Sequence, residues 1–342
     1  MDIQRILFLG LGGAGQRHLR ILKEVFPKAE LLAFRRTSKT PLLNADFTVN
    51  ESDTVENFYS LSSYSSLEEA FKQKPDLTVI STPTSTHMDL ALKALRAGSN
   101  LLVEKPFAAD LTGFEALSSL ALENDLRVFT SFQRREHPLF KRIKAIYNSG
   151  EFGKIISANF NISSYVPNWH KYEDFKELYA CKASLGGGVL LTEIHETDLS
   201  SWFFGKPLGV FCSGGNFSEN SLDIEDSVNM TLLYSQFNVQ LNISFMQKLN
   251  KRELTIYGSE KSIEWNEAQN ELVIYDHLAN TITKEKSNFS MNDMFQAQAN
   301  NLVSESPGFN LSDIKKAKDT VEIILAAKAS MAERRIIELN KE

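Results

Sequence analysis

The chain has 342 residues, 42% hydrophobic and 23% charged, enough for two domains and a large core of ordinary globular composition. A net charge of −6 and a pI near 5.7 argue against a nucleic-acid binder, whose phosphate contacts need a basic face. Two cysteines, Cys181 and Cys212, cannot build a disulfide framework, so a reducing compartment is expected.

In chain order, the opening MDIQRILFLG is too short in apolar residues for a secretory signal. No run of about 18 apolar residues reads as a membrane span, and the expected localisation is the cytoplasm. "RILFLG" (5–10) predicts a buried strand ending in glycine. The stretch 14–26 follows as a helix with Leu19, Leu22, Val25 and Phe26 on one face. Strands are predicted over 30–35, 77–82, 100–104 and 126–132, with helices over 87–98 and near 112–124. Gly98 sits where a helix C′ glycine belongs. This alternation, with continuous apolar strands, predicts a parallel doubly wound sheet. The polar segment 37–57 reads as an irregular loop.

Open parallel sheets bind ligands beyond the carboxyl ends of their strands. After the first strand comes Gly10-Leu11-Gly12-Gly13-Ala14-Gly15, a G-x-G-x-x-G turn opening a helix. Its glycines suit a tight turn, a close approach to a pyrophosphate and close helix–strand packing. The second strand ends Arg35-Arg36-Thr37-Ser38-Lys39, with no acid for a ribose hydroxyl. Two guanidiniums suit a 2′-phosphate, so NADP is favoured, NAD being the other choice.

From about residue 133 the pattern changes. A helix over 138–149 precedes strands over 154–166, 227–235, 239–247, 252–258 and 271–278. Their period-2 alternation predicts largely antiparallel pairing with one covered face. The run 313–332 is a closing helix packed back on the sheet. One helix interrupts the domain after Gly186-Gly187-Gly188, placing Thr192, His195 and Asp198 on one face.

Four stretches, GLGGAGQRH (10–18), STPTSTH (81–87), VEKP (103–106) and GGGVLLTEIHETDLSSWFFG (186–205), together resemble the glucose–fructose oxidoreductase / inositol dehydrogenase / MocA family. The resemblance implies an α/β Rossmann domain over 1–132 and, over 133–342, an α+β substrate-binding and oligomerisation domain on an open mixed, largely antiparallel sheet. It also implies NAD(P)-dependent oxidation or reduction of a sugar or cyclic polyol, and homodimers or homotetramers formed through that sheet. Carried onto this sequence, Ser81, Thr82, Pro83 and Thr84 line the cofactor path and His87 starts the next helix. Glu104 contacts the nicotinamide ribose, Lys105 points into the active site, Gln133 joins the cofactor set, and Lys105–Pro106 is a candidate cis bond. His195 takes the hydroxyl proton while Lys105 steadies the developing alkoxide. The usual family aspartate four residues before the histidine is Leu191 here. Asp198 is then either its same-face substitute or a structural residue.

The stretches 132–138 and 165–182 flank the expected site. Arg134, Trp169, His170 and Tyr179, with Tyr172, offer donors and stacking faces for a sugar ring. The density of Arg134, Arg135, Lys171, Lys176 and Lys182 hints at an anionic substrate; a solvated loop is the competing reading. No metal is implied. The expected activity is that of an NAD(P)-dependent dehydrogenase or reductase acting on CH–OH groups. The rivals are a non-catalytic dinucleotide sensor, or dehydration or glycoside cleavage by transient oxidation.

Overall fold

Short runs of Ile, Leu, Val and Phe, apolar on both faces, build a six-stranded parallel sheet. The computed structural model describes residues 3–35, 40–170, 172–220, 222–303 and 309–339, with backbone alone at 309–312. Strands β1 (Arg5–Leu9), β2 (Glu30–Phe34), β3 (Ser62–Tyr64), β4 (Leu77–Ile80), β5 (Asn100–Val103) and β6 (Val128–Thr130) lie in the order β3-β2-β1-β4-β5-β6. Every neighbouring pair is parallel. Helices α1 (Gly13–Val25), α2 (Val55–Tyr59), α3 (Leu67–Lys72), α4 (His87–Arg96) and α5 (Phe114–Glu123) make the crossovers. This is the doubly wound arrangement the sequence predicts.

The segment 37–57 is more ordered than its polarity suggests. Within its described residues Leu43 bridges to Val49, Leu42 and Leu43 are buried, and Thr54 caps α2 by accepting from the Asn57 N–H. The two leucines are too few to register as a periodic signal.

The second sheet has nine strands in the order β14-β13-β12-β11-β7-β10-β9-β8-β15. Its elements are α6 (Pro138–Asn148), β7 (Ile155–Tyr165), α7 (Val189–Thr192), α8 (His195–Phe204), β8 (Gly209–Gly215), β9 (Ser227–Leu233), β10 (Asn238–Ser244), β11 (Met246–Gly258), β12 (Lys261–Asn266), β13 (Glu271–Asp276), β14 (Thr281–Lys286), α9 (Met291–Asn301), α10 (Phe309–Glu333) and β15 (Ile337–Glu338). Among the described residues of this sheet only β7 and β10 pair in parallel; the rest are antiparallel. Val228, Met230 and Leu232 of β9 and Val239, Leu241 and Ile243 of β10 are buried on the covered face. Strands β8, β12, β14 and β15 and helix α9 escape the sequence reading, and β14 (TITKEK) has no buried residue to announce it.

Helix α10 packs on β8 of the second sheet and also on β6 and α5 of the first domain. Helix α9 returns further. Its Phe295 and Ala299, with Leu302, join Ile6, Phe8, Leu19 and Leu22 in one apolar cluster. Among the described residues no helix is long and apolar enough to cross a membrane.

Because Phe295 is only 5% exposed within that cluster, Phe295→Ala is expected to cost about 3–5 kcal/mol. Denaturant unfolding measures it, and an unchanged midpoint would mean that α9 contributes nothing to the first domain's core.

Candidate active site

The carboxyl ends of β1, β4 and β5 converge on one crevice. At β1 the chain turns at Gly10 with φ +97°, where a Cβ would lie 2.6 Å from the Ser81 carbonyl oxygen. Gly15 has its own reason: a Cβ there would lie 2.2 Å from the Gly10 oxygen, so only glycine lets α1 pack on the turn. The Ser81 hydroxyl donates to the Gly10 carbonyl at 2.8 Å and pins β4 to the turn. Beyond Gly12 the space is open to 4 Å, and no side chain caps α1. The amides of Gly13 and Ala14 therefore open α1 as an anion cradle, which fits a dinucleotide pyrophosphate.

After β4, Thr82 and Thr86 share a hydroxyl hydrogen bond at 2.7 Å, and Thr86 donates to the Pro83 carbonyl at 2.8 Å. Thr84 is buried against Gly186 of the second domain. His87 braces two strand ends, its Nε2 2.7 Å from the Thr82 carbonyl and its Nδ1 2.9 Å from that of Pro106. Both ring nitrogens are thus committed to backbone. Burial lowers its pKa against the pull of those carbonyls.

At the end of β5 stands Glu104, 9% exposed. His18 of α1 holds its Oε1 at 2.6 Å, and the Lys105 N–H donates to its Oε2 at 3.1 Å. Burial alone would raise the Glu104 pKa, but the hydrogen bond and charge of His18, with Lys105, hold it at about 2. The Lys105–Pro106 bond is cis. Lys105 Nζ crosses to the second domain and donates to the Thr192 carbonyl at 2.7 Å.

That carbonyl is available because the predicted single helix is broken. Helix α7 ends at Thr192, Glu193 leaves helical geometry at φ −96°, ψ 40°, and α8 restarts at His195. Thr192 and His195 are therefore not one helical face. His195 is 4% exposed, with Nε2 3.5 Å from Gln133 Nε2. Burial, then the charges of Lys105, Arg134 and Arg135, push its pKa well below the usual imidazole value, so the ring is neutral. Among the described residues, His195 Nδ1, Gln133 Oε1 and Thr192 Oγ1 are buried polar atoms with no protein partner. Such groups suit a polar ligand.

Asp198 does not back the imidazole. It is fully buried and holds Arg135 in a bidentate pair, with Nε at 3.0 Å from Oδ2. A carboxylate so buried needs a guanidinium of its own. Two other cations of these stretches are paired with acids that stay partly exposed. Arg134 donates to Glu267 at 2.9 Å and Lys182 pairs with Glu177. Arg35, read as half of a phosphate clamp, is 6% exposed in its side chain and donates to Glu56 at 2.8 Å. Arg36 and Lys171 lie outside the described residues.

The 165–182 loop divides. His170 bonds Glu173 at 2.7 Å and stacks on Tyr172, which lies with Phe47 against Gly13 of the glycine turn. Tyr179 lies nearer the chemistry, where burial and the charges of Glu104 and Glu193 raise its phenol pKa. Trp169 packs edge-on to Phe245. Cys181 and Cys212 are buried free thiols.

Two features have no sequence signal of their own. One is His18, quoted in the first stretch of the resemblance but given no role by its spacing. The other is a buried charge cluster: Arg252 of β11 donates to Glu193 at 3.1 Å and lies 2.8 Å from Glu196. Burial, with Glu193 and Glu267 nearby and Arg134 opposing, lifts the Glu196 carboxyl to about 8.

Comparison with known proteins agrees with this two-part fold. Residues 4–132 match the profile of an oxidoreductase family with an NAD-binding Rossmann fold, and residues 140–264 match the GFO/IDH/MocA C-terminal domain. An oxidoreductase of Formosa agariphila is 26% identical over 242 residues, 68% of this chain and 74% of that protein. The scyllo-inositol 2-dehydrogenase (NAD(+)) of Bacillus subtilis is 27% identical over 68% of this chain and 64% of its own length. Among eight such curated relatives the matched stretch spans 28% to 74% of their lengths. In structure, an NAD binding oxidoreductase from Klebsiella pneumoniae superposes with TM-score 0.83 at 15% identity, covering 100% of both chains. The WlbA dehydrogenase of Bordetella pertussis, solved with NADH and UDP-GlcNAcA, gives 0.79 at 18% identity over 100% of both chains. At these identities the structures establish the fold alone.

Two outcomes follow from the buried carboxylates. His18→Phe leaves the Glu104 charge without its side-chain partner and is expected to cost about 3–5 kcal/mol in denaturant unfolding; a loss under about 1 kcal/mol would mean the pair is energetically idle. Glu196 is raised from 4.5 to about 8, so its contribution to stability is present below pH 4.5 and lost as pH rises through 8. Glu196→Gln should therefore gain on the wild type in melting temperature from pH 5 to 8.5, and a pH-independent difference would contradict a protonated Glu196.

Proposed function

This chain belongs to the Gfo/Idh/MocA oxidoreductase family with an NAD-binding Rossmann fold, and on that footing we propose that it interconverts a secondary alcohol and a ketone on a sugar or cyclic polyol. The observation that carries the reading is the 2.7 Å bond from Lys105 Nζ to the Thr192 carbonyl. It brings the lysine of one domain beside the neutral histidine of the other.

The nicotinamide ring, when bound, supplies a hydride acceptor or donor. Gly10, Gly12, Gly13, Ala14 and Gly15 would hold the pyrophosphate, with Ser81 to Thr84 and Glu104 along the rest of the cofactor path. His195 acts as the base: an imidazole kept neutral by burial is ready to take the hydroxyl proton. The Lys105 ammonium, with one N–H spent on Thr192, turns its remaining donors to the alcohol oxygen and stabilises alkoxide character. Gln133 and Thr192 orient the substrate through their unpartnered oxygens. Asp198 is assigned to positioning Arg135.

For the cofactor we propose that both dinucleotides are used. No acid ends β2, while Arg35 is neutralised by Glu56, which removes half of the case for NADP. The reacting molecule is proposed to be neutral, since Arg134, Arg135 and Lys182 are satisfied within the protein. Self-association is proposed through the open face of the large sheet, where one cross-strand row reads Leu233, Asn238, Ser157, Tyr257, Ser262, Tyr275, Ile282.

A screen of inositols, hexoses and glycosides by nicotinamide absorbance tests the activity. Lys105→Ala and His195→Asn should each lower kcat/KM by about 10²–10⁴ while NADH affinity stays within about threefold, roughly 0.7 kcal/mol. Lost NADH affinity with unchanged single-turnover chemistry would overturn the assignment of Lys105. The ratio of kcat/KM for NADPH and NADH should lie within about tenfold, a 1.4 kcal/mol margin; a ratio beyond about a hundred would show that the end of β2 discriminates.

A further inference from the structure

A cavity of about 440 Å³ opens where β7, β11 and the loop after β12 meet. It is large enough for an organic ligand of some size. Neither Lys105, His195 nor Gln133 lines it, so it is not the pocket of the reacting atoms. It is nonetheless their neighbour. Glu193, one residue beyond the carbonyl that holds Lys105, forms part of its wall, and the charges of both Glu104 and Glu193 act on Tyr179.

The wall has a definite chemistry. Trp169 offers an aromatic surface, and Asn168 and Asn250 offer amides. Among the described residues neither amide makes a protein hydrogen bond, and both residues are exposed. Every charge in the lining is matched inside the protein: Arg252 with Glu193, Lys251 with Glu253, and Glu267 with Arg134. The wall therefore has no net pull on an ion. Uncommitted amides beside an aromatic face, with no unpaired charge, match the surface of a pyranose ring, which is hydroxylated at its rim and apolar on its face.

We propose that this cavity is a second sugar subsite, so that the substrate carries a further pyranose ring beyond the one that reacts at Lys105 and His195. This rests on the sugar-oxidoreductase reading and narrows its substrate class from free polyols to glycosides or oligosaccharides. Asn168 and Asn250 are assigned the hydrogen bonds to the outer ring and Trp169 its stacking face.

Calorimetric titration of the NAD-loaded protein tests the subsite, using cellobiose, maltose and lactose against glucose and galactose. At least one disaccharide should bind tenfold or more tightly than its constituent monosaccharide, and Asn168→Ala and Asn250→Ala should each reduce that ratio by threefold or more. A panel in which no disaccharide outbinds its monosaccharide overturns the subsite. So does a preference that both variants leave unchanged, since the outer ring would then lie elsewhere. Because the readout is binding, failure of the oxidoreductase reading is separate. It would appear as a retained disaccharide preference with no nicotinamide absorbance change for any sugar bound.

Discussion

The Glu104 carboxylate is the point to which the rest of the site is tied. A buried charge at a strand end needs partners on more than one side, and each partner comes from a different part of the fold. His18 reaches it from the helix that opens at the glycine turn, and the backbone N–H of Lys105 from the end of β5. The glycine turn and the lysine proposed to steady the alkoxide are thus fixed to one another through a single carboxylate. An edge-on contact between His18 and Phe295, at 5.2 Å, extends the link to the C-terminal helices.

Charge neutralisation inside the second domain sets a different limit. Arginines that look in sequence like ligand contacts are consumed by acids of the same domain: Arg135 by the buried Asp198 and Arg134 by the half-exposed Glu267. The cations still act at a distance, since Arg134 and Arg135 help keep His195 uncharged. Their influence falls on the protonation of His195. That role turns on three-dimensional pairing, which residue counts do not carry.

Most of the first domain was legible because its signals are local, the short β3 and helices α2 and α3 excepted. Apolar runs of four or five residues, a glycine fingerprint and a C′ glycine each report on their own neighbourhood. The strand ends after β1, β4 and β5 could be located from the same pattern, and with them Gly12, Thr82 and Lys105. What escaped depends on distant partners. The break between α7 and α8 has no proline or glycine at Glu193 or Ile194 to mark it. The partners of Asp198 and Arg35 lie 63 and 21 residues away. The polar edge strand β14 and helix α9 carry too little apolar periodicity to stand out.

The course of the last third of the chain has a further consequence. Helix α9 leaves the large sheet, crosses to the first domain and covers part of its core with Phe295, Ala299 and Leu302. The dinucleotide domain therefore lacks a finished surface until residues from beyond the large sheet have packed on it. It is not an interchangeable cassette: a fragment ending at β6 would present an uncovered apolar patch beside α1. Substitutions in α9, far from the glycine turn in sequence, therefore act on the packing of the dinucleotide domain itself.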